Sequence, residues 1–258
     1  IFLHYDIKIV IHFAALKSVK ESMDNPELYY MNNINILNNL LSSMKEYNCK
    51  NIIFSSSATV YGNNQSPMHE NMVIGDSTNP YGKTKCICET IINDCCKFSG
   101  LNAIILRYFN PAGVIENGYM ENTLCPAENL VPNIIHAIKG NLILQIFGND
   151  YNTVDGTCER DFIHIEDLMS GHMMAMEFMN DNSGCHTFNL GTGTPCTVLN
   201  LIETFKQVLN VDISYELKDR RAGDVQANYC CTNKAKNILQ WTADKTVEDI
   251  CESYRNHI

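Results

Sequence analysis

Apolar and polar positions alternate in blocks along the chain, and the blocks change period. "KIVIHFA" (8–14) is a short continuous apolar run and predicts a buried parallel strand. Residues 25–48, from "NPELYY" to "MKEYN", predict a helix, and "NIIFSSS" (51–57) a strand that ends in hydroxyls. The run 80–98 predicts a second helix with Ile87, Ile91 and Ile92 near one face, and "NAIILRYFN" (102–110) another strand. Further on come a short helix (129–140), a strand (142–148), a short strand leading into a helix (160–179) and a strand and turn (185–193). An amphipathic helix (197–209) and a final helix (245–257) close the pattern. Strand and helix alternating in this way describe an α/β fold on a parallel sheet with right-handed crossovers. The second half mixes shorter pieces and reads as a smaller lobe.

Composition narrows the function. A net charge of −10 over 258 residues argues against nucleic acid as the main partner. No apolar run is long enough to cross a bilayer, and Asp6 and Lys8 break up the opening residues as a signal peptide. The twelve cysteines form no C-x-x-C pair and read as free thiols of a reducing, cytoplasmic compartment, with no disulfide framework and no metal site.

Chemistry concentrates at strand ends, where parallel sheets bind ligands. Three ends carry unusual polar text: "HFAALKSV" (12–19), "SSSATVYG" (55–62) and "RYFNPAG" (107–113). Shortly after the second comes "NPYGKTK" (79–85): Asn79 suits an N-cap, Pro80 a first helical position, and Tyr81 and Lys85 stand at i and i+4 on one face. A lysine beside a phenol favours the phenolate and is expected to lower the pKa of Tyr81. Ser57 or Thr59, Tyr81 and Lys85 would then make a proton-transfer set suited to an alcohol. The bland reading of each is a turn serine, an ordinary tyrosine and a solvated lysine.

"FSSSATVYG", "NPYGKTK" and "LRYFNPAG", in that order, resemble the extended short-chain dehydrogenase/reductase superfamily. Within it the chain is similar to the UDP-glucose 4-epimerases along essentially its whole length, most specifically in "IFGNDYNTVDGTCERDFIHIEDL" (146–168) and "RRAGD" (220–224). The resemblance implies a Rossmann-like parallel sheet, with 1–114 and 160–191 in the NAD-binding part and 115–159 and 192–258 in a sugar-nucleotide-binding lobe. It implies an isomerase of galactose metabolism. Tyr81 would be the base at the sugar 4-hydroxyl, Lys85 would bind the nicotinamide ribose and tune Tyr81, and Ser57 would help move the proton. NAD contacts are implied for Phe13, Ala14, Lys17, Asn32, Ser55 and Tyr108, besides Tyr81 and Lys85. UDP contacts are implied for Asn110, Asn129, Leu130, Phe147, Arg160, Arg221 and Asp224. Arg160 and Arg221 can neutralise a diphosphate even in an acidic protein, although singly each also reads as a surface ion pair. Asn228 falls where the family carries either a large tyrosine or a small residue, and its intermediate size implies room for N-acetylated UDP-sugars. A homodimer through a bundle including 25–48 and 80–98 is implied as well.

Two observations qualify the resemblance. No Gly-x-x-Gly-x-x-Gly turn precedes 8–14, and the first glycine is Gly62. The expectation is therefore that this is a fragment or an incomplete gene product lacking the first three strands. Alone it should bind NAD poorly and be inactive or prone to aggregate. Other sugar-nucleotide enzymes also stay open: a UDP-pentose 4-epimerase, a UDP-glucuronate decarboxylase or, less well, a dehydratase, since Ser57-Ala58-Thr59 lacks the Asp-Glu pair that elimination needs. A non-catalytic binding protein on the same fold is the alternative of a different class.

Overall fold

The computed structural model describes residues 1–115, 129–140, 142–221 and 223–258. In chain order its elements are β1 (Ile9–His12), α1 (Val19–Asp24), α2 (Pro26–Glu46), β2 (Asn51–Ser57), α3 (Pro80–Ser99), β3 (Asn102–Tyr108), β4 (Asn110–Ala112), α4 (Leu130–Gly140), β5 (Leu144–Phe147) and β6 (Glu159–Arg160). They continue with β7 (Phe162–His164), α5 (Ile165–Asp181), β8 (Cys185–Leu190), β9 (Cys196–Thr197), α6 (Val198–Leu209), β10 (Tyr215–Lys218), β11 (Ala227–Asn228) and α7 (Val247–Ser253).

Four strands form a wholly parallel sheet in the order β1-β2-β3-β8. The continuous apolar text of β2 and β3 follows from burial on both faces. Ile52, Phe54, Ala103 and Ile105 pack with Leu37 and Met44 of α2 and Cys88 and Ile92 of α3. Ile53, Ile104 and Leu106 pack on the other side with Leu168, Ala175 and Met179 of α5. A separate core joins α4, β5, α6 and α7 through Ile134, Ile135, Ile146, Leu201, Phe205 and Ile250. Helix α6 shows how sequence makes such a face. Thr197 caps its start by accepting from the Asn200 amide, and Val198, Leu201, Ile202, Phe205 and Leu209 recur at helical spacing on its buried side.

The helix foreseen over 25–48 is α2, and a short helix not foreseen, α1, ends just before it at Asn25, because Pro26 lacks the N–H to continue α1 and suits the first position of α2. Ile87 lies on the outer side of α3, while Ile92 is buried and Ile91 packs against the same core, and Thr84, Lys85, Cys88 and Glu89 share that buried side. The short strands β9, β10 and β11 have no sequence signal of their own. β10 pairs with β5, and β11 and β9 flank β6, so pairing with partners far along the chain makes them strands.

Candidate active site

The start of α3 is fixed by local chemistry. The Asn79 side chain accepts from the Gly82 amide at 2.9 Å and Pro80 opens the first turn. Gly82 is required by a close approach: a Cβ there would lie 1.9 Å from the Ser77 hydroxyl and 3.0 Å from the Thr59 carbonyl. That approach brings Tyr81 and Lys85 to the carboxyl end of β2. The Tyr81 hydroxyl and the Ser57 side chain are close enough for Ser57 to oppose the rise of the Tyr81 pKa. Ser57 also caps the turn that follows β2, its Oγ accepting from the Thr59 amide at 3.2 Å and the Thr59 hydroxyl at 2.9 Å. Lys85 is buried, donates to the Ser55 carbonyl at 2.7 Å, and holds its Nζ 4.9 Å from the Phe54 ring centroid and 5.8 Å from that of Tyr81. The structure thus joins Ser57, Tyr81 and Lys85 in one place, with Thr59 beside them.

Their electrostatics differ from the expectation. The Tyr81 phenol is pushed up by burial, with Ser57 opposing, and Lys85 is not what governs it. The Lys85 ammonium is held by a backbone carbonyl, and burial lowers its own pKa to about 8. Desolvation is the largest cause for both groups. His12 at the end of β1, stacked 5.8 Å from Phe54, is lowered to about 4 by burial and by Lys85, so it stands neutral beside the lysine.

The positions read as NAD contacts surround this point unevenly. The Tyr108 hydroxyl, at the end of β3, lies 2.6 Å from His172 Nε2, with the Ser55 side chain nearby. Phe13 is 58% exposed, and its ring centroid is 5.3 Å from that of His172. Ala14 and Lys17 are exposed on the same loop, and Asn32 is half-buried on α2. The residue that secures the loop is Asn33. Its amide accepts from the Leu16 N–H at 2.8 Å and donates to the Leu16 carbonyl at 3.1 Å and to Thr84 Oγ1 at 3.0 Å.

Behind the site lies a buried network that the sequence did not disclose. Glu89, one turn beyond Lys85, accepts from Ser56 Oγ at 2.5 Å and pairs in bidentate fashion with Arg107 at 3.0 and 2.7 Å. Arg107 also donates to the Tyr61 hydroxyl at 3.0 Å, which donates to Asn189 Oδ1 at 2.6 Å. Ser56, Glu89 and Arg107 are sequence neighbours or helix-turn neighbours of Ser57, Lys85 and Tyr108, so this network holds the backbone that carries them.

A second cluster gathers four of the residues read as UDP contacts. Asp224 accepts from Arg221 Nε at 3.2 Å and stands 3.8 Å from Arg160 NH2. The Arg221 guanidinium lies 4.5 Å from the Phe147 ring centroid. Arg160 NH1 donates to the carbonyls of Glu159 and Val225. The two terminal amino groups of Arg221 make no hydrogen bond among the described residues, which leaves planar donors for an anion. Asn110 links this cluster to the first through the main chain: two residues beyond Tyr108, its backbone N–H donates to the carbonyl of Asp161, next to Arg160. Asp161 itself, missed from sequence, is fully buried and accepts from the amides of Thr192, Gly193 and Cys230. Asn129 is exposed just before α4, and Leu130 packs on the second core. Neither has a hydrogen bond, ion pair or ring contact to the arginine cluster among the described residues. Asn228 pairs in register with Arg160, and its buried Oδ1 has no hydrogen-bond partner among the described residues.

Among the described residues no group of three or more His, Cys, Asp or Glu could hold a metal, every cysteine is a free thiol, and no helix is long and apolar enough to cross a membrane. A parallel sheet with Ser, Tyr and Lys meeting at its carboxyl end defines a short-chain dehydrogenase-like site. In agreement, residues 1–191 match the NAD dependent epimerase/dehydratase family, and the chain belongs to that family. More particularly, it is 42% identical to the UDP-glucose 4-epimerase of Homo sapiens over 256 residues, which is 98% of this chain and 74% of that protein. The structure is similar to UDP-glucose 4-epimerase from Bifidobacterium longum in complex with NAD+ and UDP, with a TM-score of 0.92 and 40% identity over 99% of this chain and 77% of that one. It is also similar to the UDP-Glc/GlcNAc 4-epimerase of Campylobacter jejuni, with a TM-score of 0.80 and 36% identity over 96% of this chain and 76% of that one.

Proposed function

We propose that this chain carries the catalytic and UDP-sugar-binding residues of an NAD-dependent UDP-glucose 4-epimerase, interconverting UDP-glucose and UDP-galactose through a 4-keto intermediate. One observation carries the reading: Ser57, Tyr81 and Lys85 meet at the end of β2, and Asn110 ties that point to the Arg160–Asp224–Arg221 cluster. The residues present suit the nicotinamide-ribose half of NAD, since Lys85 offers a buried ammonium beside Tyr81, with Ser55 and Tyr108 hydroxyls adjacent. NAD, when bound, supplies the redox chemistry by taking a hydride from C4 and returning it to the opposite face.

The protein's part is proton handling and orientation. Tyr81 removes the 4-hydroxyl proton, and Ser57, beside the Tyr81 hydroxyl, hands that proton across. Because burial raises its pKa, Tyr81 acts as phenolate only where positive charge beside it offsets the desolvation, and Lys85, with Nζ 5.8 Å from the Tyr81 ring centroid, supplies such charge. Arg160 and Arg221 hold the diphosphate, Phe147 presents an apolar face to the nucleotide, and Asn110, Asn129, Leu130 and Asp224 complete the UDP site. Phe13, Ala14, Lys17 and Asn32 face the cofactor. We assign 1–114 with 160–191 to the cofactor part and 115–159 with 192–258 to the sugar-nucleotide part; of the latter, 116–128 lie outside the described residues. A homodimer through α2 and α3 fits their exposed Met31, Ile87 and Phe98.

The test has two arms. Conversion of UDP-galactose to UDP-glucose in the presence of NAD is followed by proton NMR, and Tyr81→Phe is expected to lower it by about a thousandfold or more. Calorimetry with UDP reads the nucleotide site without turnover. A chain indifferent to UDP, or one whose turnover survives Tyr81→Phe, overturns the reading.

A second reading concerns substrate breadth. The Asn228 Oδ1, without a hydrogen-bond partner among the described residues and in a residue paired in register with Arg160, favours a sugar that brings a donor such as an acetamido N–H. Turnover of UDP-N-acetylglucosamine comparable to that of UDP-glucose is expected, and its absence removes the idea.

A further inference from the structure

Strands β5 and β10 run in register as far as Phe147 and Lys218, and the Gly148 N–H adds one more bond, to the Lys218 carbonyl at 2.8 Å. Just beyond, two consecutive arginines take two aromatic faces of one turn. The Arg221 guanidinium lies 4.5 Å from the Phe147 ring centroid, and that of Arg220 lies 4.0 Å from the Tyr151 ring centroid. Their hydrogen bonding differs. Arg220 Nε donates to Asp150 Oδ1 at 2.6 Å, and its NH2 donates to the Asp150 carbonyl at 2.7 Å. A planar fork with two donors on one residue and its face on the next has little freedom left. Tyr151 in turn is buried in the second core, and its N–H donates to the Gly156 carbonyl at 2.9 Å. Gly148 lets the turn close: at φ +83, it has no room for a Cβ, which would lie 2.4 Å from the Tyr151 ring and 3.1 Å from Arg220 Cγ. Arg221, the next residue, holds Asp224 through Nε at 3.2 Å and keeps its terminal amino groups without a hydrogen bond among the described residues.

We propose that Arg220 is a positioning residue: clamped by Asp150 and Tyr151, it fixes the backbone from which Arg221 reaches over Phe147, and so sets the affinity of the arginine cluster for a diphosphate. The proposal rests on the UDP reading above. An arginine that seizes an anion gives up side-chain and backbone freedom, and a chain already anchored one residue away has less of it to lose. Arg220 thus acts on the anion through its neighbour, with its own fork committed to Asp150.

The closing experiment titrates the full chain with UDP by calorimetry and with uridine by ligand-observed NMR. The Arg220 and Asp150 side chains are 46% and 68% exposed, so their replacement leaves the fold standing. Arg220→Met should weaken UDP about tenfold. Asp150→Ala separates the clamp from plain charge. Removing a negative charge near an anion site tightens the anion by Coulomb attraction alone, whereas releasing the clamp should weaken UDP about threefold. Asp150→Asn keeps an oxygen to accept from Arg220 Nε and should stay within about twofold of the unsubstituted chain. Uridine, which has no phosphate, should change less than about twofold in every variant. UDP affinity that is unchanged or tighter in Asp150→Ala overturns the proposal. So does a parallel loss of UDP and uridine, which would mean that the whole turn is disrupted. If the unsubstituted chain ignores UDP, the UDP reading falls and takes the clamp's role with it. UDP binding that is indifferent to all three variants leaves that reading in place and removes the clamp alone.

Discussion

Two groups of charges in this molecule use the same chemistry to opposite ends. In the Glu89–Arg107 network both partners are buried, every strong donor and acceptor is matched, and the partners come from α3, β3, β2 and β8. In the Arg160–Asp224–Arg221 cluster the pairing is looser: one contact is long, and Arg221 is half-exposed with planar donors left over. Saturated charges in the interior cannot welcome a ligand without losing a partner, so they hold backbone in place. Charges at a rim with unused donors are cheap to re-pair and suit an anion that comes and goes.

The sharpest way to break this contrast is Glu89→Leu. Leaving Arg107 buried and unpaired should lower stability by about 3–5 kcal/mol in urea unfolding, and the double replacement with Arg107→Met should recover much of it. His12 offers the second effect, as a buried group kept neutral without a carboxylate. Its folded pKa is about 4 against the ordinary 6.5, so the unfolded chain takes up a proton first as the pH falls. Stability should decline between pH 6.5 and about 4 by on the order of 3 kcal/mol, and His12→Asn should flatten that slope. Arg160→Met probes the rim: UDP affinity should fall about tenfold while stability moves by less than about 1 kcal/mol. An equal loss in both would erase the distinction between the two groups of charges. Smallest, Asn79→Ala removes the cap of α3 and should cost about 1 kcal/mol of stability. Because that cap sets where Tyr81 begins, turnover should fall by more than the stability change explains.

What could be read from sequence was local. Asn79-Pro80 announced the start of α3, and i and i+4 spacing placed Tyr81 beside Lys85, because both depend on a few consecutive residues. Apolar runs gave β2 and β3 for the same reason. Glu89 and Arg107 escaped notice because their meaning is a contact between a helix and a strand, with no motif to join them. The pKa of Tyr81 is not legible because spacing reports proximity to a charge and says nothing of burial, which dominates. Two-residue strands such as β11 are defined wholly by the partner they lie against.

Asn33 has one further consequence. A single side chain holds both backbone groups of Leu16 and the hydroxyl of Thr84, three residues past Tyr81. The loop of Phe13 to Lys17 and the first turns of α3 are therefore not independent variables. Whatever binds and steadies that loop raises the energy of any excursion of α3, and whatever steadies Tyr81 tightens the loop by the same amount. One amide makes cofactor loop and base helix a single thermodynamic unit.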